Sequence, residues 1–90
     1  MNSALWKQVG YVKRSANRAK ALELSQTPLM PSELGRAMKI SLTHASKIIR
    51  ELHSQKLIFC LNDELKVGRI YQITLSGKKV LKTISGLNEK

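Results

Sequence analysis

The sequence predicts a mostly helical α+β domain, in which two short helices across a tight turn are followed by a β-hairpin. Three observations predict it. The stretch PSELGRAMKISLTHASKIIRELHS, residues 31–54, carries two apolar stripes of helical period on either side of Ile40-Ser41. The runs LIFCL (57–61) and RIYQIT (69–74) are rich in branched and aromatic residues, as strands are. A further periodic stripe precedes the first stretch and another follows the second run. Ninety residues make one domain.

The chain opens on a helix over residues 3–25. Trp6, Val9, Val12, Ala16, Ala19 and Leu22 recur every three or four residues and form one apolar stripe. Gly10 weakens this helix by about 1 kcal/mol relative to alanine and sets off residues 1–10 as an N-terminal extension. Lys13, Arg14, Arg18 and Lys20 cover the polar side. Pro28 ends the helix and pushes Thr27 into an extended backbone.

The second helix, 31–39, starts at Pro31, whose fixed φ suits a first helical position. Glu33 can reach back to the entering backbone, although Met30 has no side-chain acceptor to complete a capping box. Leu34, Ala37 and Met38 give it an apolar face. The third helix, 42–54, has Ser41 as its N-cap, because the hydroxyl can accept from a free amide of the first turn. Ala45, Ile48, Ile49 and Leu52 are its apolar face. Two crossed helices joined by a tight turn make a helix-turn-helix.

The two strand runs enclose NDELKVG, residues 62–68, with Asn, Asp and Gly as turn formers. On a helix-turn-helix this hairpin is a wing. Alternation puts Tyr71, Ile73 and Cys60 on one face. Phe59, Leu61 and Ile70 fall on the other, which is more apolar surface than a solvated hairpin needs. That face is expected to pack against the N-terminal extension or another subunit. Thr74 caps a last helix, 75–84, with Val80, Leu81 and Ile84 inward and Lys78, Lys79 and Lys82 outward. Gly86 marks its stop, and residues 85–90 are read as a frayed tail.

Charge narrows the function. Sixteen Lys and Arg against six Asp and Glu give a net charge of +10. Every third of the chain is net positive, so the charge belongs to the fold rather than to a tail. Such a balance favours a polyanionic partner. The polar face of the third helix carries Thr43, His44, Ser46, Lys47 and Arg50, with no acid before Glu51. A helix fits the DNA major groove, and these side chains suit phosphates and base edges. Ser41 joins them at the start of the helix.

Other chemistry is not expected. Cys60 is the single cysteine, so no intrachain disulfide can form, in keeping with a reducing interior. It reads as a small apolar core residue. His44 and His53 lie nine residues apart, half a turn out of phase. Neither belongs to a zinc-ligand cluster or a catalytic triad, so the sequence names no metal, no cofactor, no small-molecule ligand and no enzymatic activity. No run of about 18 apolar residues could span a membrane, and the N-terminus is not a secretory signal. The expected location is cytoplasmic, on the nucleoid.

In this order of elements the sequence resembles the winged helix-turn-helix regulators of the MarR/ArsR type, and is similar to a small archaeal group of them. The resemblance runs from about Tyr11 to Leu81 and rests on YVKRSANRAKALEL, PSELGRAMKISLTHASKIIRELHSQKLIFCLN and GRIYQITLSGKKVL. Two positions depart from the family pattern. Met30 stands where threonine is usual before the proline, and Lys56 where glycine is usual before the first strand. The resemblance implies that the third helix enters the major groove and that the wing, 62–69, reaches the DNA backbone. It then places Thr43, His44, Ser46, Lys47 and Arg50 against DNA, with Lys66 and Arg69 flanking the wing turn. Asp63 and Glu64 in the same loop would repel phosphates.

The leading reading is a sequence-specific transcriptional regulator on double-stranded DNA, acting as a homodimer. Leu5, Trp6 and Val9 in the extension are the expected dimer contacts. Two other readings stand beside it: an architectural chromatin-type protein of the same fold, and a winged-helix module that binds an acidic protein.

Overall fold

In the computed structural model, which describes residues 3–88, the N-terminal stripe is two helices instead of one. Helix α1 spans Ser3–Lys13 and α2 spans Ala16–Leu24. Between them Ser15 is extended, with φ −137° and ψ 117°, and its hydroxyl accepts the Arg18 amide at 3.2 Å. A serine in that position starts a fresh helix by satisfying a free amide. Gly10 does not interrupt α1. Val9, Val12, Ala21 and Leu22 are buried, whereas Ala16, on the expected stripe, is exposed because the chain changes direction just before it.

Helix α3 spans Pro31–Met38 and α4 spans Leu42–Ser54. Glu33 does reach back, accepting the Met30 amide at 2.7 Å. The buried face of α3 is Leu34 and Gly35, with Met38 half-buried; Ala37 faces solvent. Gly35 explains the shift. A Cβ there would lie 3.1 Å from the Ile40 carbonyl oxygen and 3.6 Å from the Ala45 Cβ, so α3 and α4 cross where only a hydrogen fits. Ser41 caps α4 as the sequence predicts, its Oγ accepting the His44 amide at 3.0 Å.

Both helices end on a left-handed lysine. Lys39 has φ 59°, its amide donating to Arg36 and the Ile40 amide to Gly35. Lys56 also has φ 59°, its amide donating to His53 and the Leu57 amide to Leu52. This paired pattern is a Schellman turn, whose left-handed residue is usually glycine.

Strands β1 (Ile58–Cys60) and β2 (Tyr71–Ile73) pair antiparallel with Ile58 opposite Ile73 and Cys60 opposite Tyr71. They are shorter than the predicted runs but keep the predicted faces. Leu29 bridges the far edge of β2 by two backbone bonds to Tyr71, of 3.0 and 2.8 Å. The wing is thereby tied to the α2–α3 connection as well as to α4.

Helix α5 spans Leu75–Asn88 and so continues through Gly86 beyond the predicted stop. Residues 89–90 of the expected tail lie outside the described residues. Thr74 caps α5 by accepting the Gly77 amide at 3.0 Å, and donates its own hydroxyl to the Lys56 carbonyl at 2.8 Å. A Cβ at Gly77 would collide with the Leu57 carbonyl oxygen and with Ile73, which fixes how closely α5 lies on the hairpin.

Arg18 is half-buried where α1, α2 and α4 meet. Its guanidinium donates to Glu51 at 3.3 Å and to the Tyr11 carbonyl at 2.9 Å, and stacks 3.9 Å above the Tyr11 ring. One of the basic residues that sequence pattern placed in solvent is therefore part of the scaffold.

Candidate nucleic-acid interface

The buried stripe of α4 decides its exposed face. Ala45, Ile48, Ile49 and Leu52 are each at most 3% exposed. The opposite side must then point outward, and it carries Thr43, His44, Lys47 and Arg50, all exposed, with Ser46 half-buried beside them. Ser41 is exposed too, with its oxygen engaged in the cap. Glu51 is held by Arg18 on the scaffold side. The outer face of α4 is thus cationic and free of acids. Arg36 and Lys39, which sequence reasoning did not single out, are exposed just before it. Their signal is in the sequence: two cations in the last turn and cap of the helix that precedes α4.

The wing is shaped by two side chains. Asn62 accepts the Ile70 amide at 2.8 Å and donates to the Gly68 carbonyl at 3.1 Å, closing the loop across its base. Arg69 donates through Nε to the Leu65 carbonyl at 2.6 Å and through Nη2 to the Asp63 carbonyl at 3.3 Å. Of the two wing cations, Lys66 projects into solvent and Arg69 is occupied inside the loop. Asp63 and Glu64 are exposed nearby. Val67, at 85% exposed, is the most open large apolar side chain described.

A cleft of about 480 Å³ separates α4 from the wing. Its lining combines the apolar Met30, Pro31, Leu42 and Ile49 with the cations Arg50, Lys66 and Arg69. Towards the other end of α4 a second hollow of about 320 Å³ continues it, lined by His53, Cys60, Asp63 and Tyr71 among others. His53 meets Tyr71 edge-on, with ring centroids 6.0 Å apart. The Cys60 thiol donates to Asn62 Oδ1 at 3.5 Å and belongs to the wing's internal bonding. Among the described residues, no group of three His, Cys, Asp or Glu is placed to hold a metal ion, and no helix is long and apolar enough to cross a membrane. A separate open groove of about 630 Å³ lies between α2 and α5, lined by Glu23, Gln26, Lys78 and Leu81 with their neighbours.

The three residues expected at a dimer contact fare differently. Val9 is buried in the chain's own core and Leu5 is half-buried against it. Trp6 is 48% exposed. On the hairpin, Phe59 and Leu61 are 41% and 46% exposed, so this face is not covered by the N-terminal helix.

No protein-family model matches the chain. No curated protein matches it either. Solved structures do. The chain is similar to the adhesin competence repressor AdcR of Streptococcus pyogenes over 83% of its length, with 21% identity and a TM-score of 0.65. It is similar to S. aureus MepR in a complex with DNA over 97% of its length, with 17% identity and a TM-score of 0.75. A point mutant of MepR aligns over 92% of the chain with 18% identity and a TM-score of 0.75. The fold is a winged helix-turn-helix. That is the fold expected from the MarR-type resemblance. At these identities the likeness is one of fold. The chain spans 57% of the AdcR chain, 74% of MepR in the DNA complex and 64% of the MepR point mutant. In winged-helix terms α3 and α4 are the helix-turn-helix, and the β1–β2 hairpin is the wing.

Proposed function

We propose that this winged helix is a sequence-specific DNA-binding transcription regulator that reads the major groove with α4 and touches the backbone through its wing. One observation carries the reading: the outward face of α4 presents Thr43, His44, Lys47 and Arg50 with no acid, on a helix rigidly seated by its buried face. The DNA-bound MepR structure supports it by fold. In this reading Arg50 reads a base, Lys47, Lys39 and Lys66 contact phosphates, and Arg69 holds the wing in shape. The protein acts as a homodimer, which supplies a second recognition helix and covers apolar surface such as Trp6. Its chemistry is binding, without catalysis.

The test is selection of bound fragments from random DNA, followed by salt titration on the winner and on a scrambled control. If about five phosphates are neutralised, log K should fall against log salt with a slope of about −4 to −5. Specific binding should exceed the control by a factor of ~10³ or more. A flat salt response, or no binding at ~50 mM salt, would sink the reading. Equal affinity for winner and control would leave an architectural protein in its place.

A further inference from the structure

Leu42 opens α4, yet it is 58% exposed. It stands three residues before Ala45 and seven before Ile49, so helical period aligns it with the buried stripe. The core stops at Ala45, and Leu42 reaches past it to line the cleft between α4 and the wing, beside Ser46, Arg50 and Val67. The two ends of the α4 surface also differ in chemistry. Leu42, Thr43 and Ser46 offer methyl groups and hydroxyls, whereas the cations Lys47 and Arg50 come later along the helix.

A recognition helix meets base edges mainly with its N-terminal residues. The apolar feature in the major groove is the C5 methyl of thymine. An isobutyl group has no hydrogen bond to offer guanine O6 and N7 or the cytosine amine, and would desolvate them without return. Charge complementarity makes the occupant DNA: Arg50 and Lys66 line the same cleft as Leu42, and an apolar protein surface would leave both cations unpaired.

Resting on the DNA-binding reading above, we propose that Leu42 is a specificity residue, selecting a thymine by van der Waals contact with its C5 methyl in the major groove. It complements Arg50, whose planar fork suits guanine.

The experiment takes the selected duplex and replaces each thymine in turn with deoxyuridine, which pairs identically and lacks the methyl. For the wild-type protein, one thymine per recognition helix should matter, with affinity falling about fourfold, equivalent to ~0.8 kcal/mol for one buried carbon. Leu42→Ala should lose affinity for the thymine duplex and bind the thymine and uracil duplexes equally. Its thermal melt should match the wild type, since Leu42 is exposed. Wild-type indifference to uracil at every position overturns the proposal. So does a Leu42→Ala protein that still discriminates at the sensitive thymine, or a selected site without thymine. In those outcomes salt-dependent binding to the duplex persists. Loss of all duplex binding by the wild type is a separate failure, because it removes the DNA-binding reading and this proposal together.

Discussion

Lys47 and Arg50 lie three residues apart on the exposed side of α4, and they differ in what they can read. The planar guanidinium of Arg50 can make two parallel bonds to one guanine, so Arg50→Ala is expected to cost about 1–3 kcal/mol and to relax preference at one base position. Lys47 carries a compact charge suited to phosphate. Lys47→Ala should weaken every sequence about equally and lower the salt slope by about 1. Equal, sequence-independent losses from both substitutions would refute the division of roles, and binding measured on the selected site and its single-base variants decides it. Arg18 and Arg69 look the same in composition, but their donors are spent inside the fold, on Glu51 and Tyr11 in one case and on the wing's carbonyls in the other. Periodicity cannot separate these arginines, because the partners that claim them come from distant or looped parts of the chain.

At the scale of elements, each helix of the helix-turn-helix ends on a left-handed lysine. A non-glycine residue in that backbone region costs roughly 1–2 kcal/mol, and glycine removes the clash while adding entropy to the unfolded chain. Lys56→Gly and Lys39→Gly are therefore each expected to stabilise the domain by about 0.5–1 kcal/mol, read as a melting temperature several degrees higher. On the DNA-binding reading, Lys39→Gly should at the same time lower the salt slope, because it deletes a cation beside α4. A melting temperature that falls in both variants would show that the two turns are not strained in solution. The glycine expected near residue 56 from family resemblance has its physical reason here: the turn needs φ of 59°, and lysine adopts it. Ser15 teaches the opposite lesson. It lies inside an unbroken apolar stripe, where periodicity gives no sign of a break, yet its hydroxyl starts α2.

For the molecule as a whole, exposed Trp6, Phe59 and Leu61 pose the question of assembly. The single chain leaves each of them close to half open, so burying the two groups against each other within one monomer does not occur. A two-fold dimer would set its recognition helices about one DNA turn, ~34 Å, apart and double the contacts. The dimer reading expects Trp6→Ala to weaken self-association and cooperative DNA binding while leaving the melting temperature of the fold nearly unchanged. Sedimentation equilibrium at micromolar concentration measures it. A single monomeric species across the concentration range ends the dimer hypothesis.

The sequence by itself determined the order of elements from α3 onward, the bounds of α4, its Ser41 cap, the wing and its faces, and the cationic outer surface of α4. These follow from local period and from side chains that act on their own backbone. The tertiary structure decided what depends on neighbours distant in sequence. It broke the first helix at Ser15, moved the α3 contact from Ala37 to Gly35, carried α5 past Gly86 and tied Leu29 to the wing. It also sorted the cations into scaffold and surface, placed Val9 in the core, and left Leu42 open at the end of a buried stripe. The physical reason is common to all of these. Period says which side of a helix is apolar, but only packing says where the core that covers that side stops.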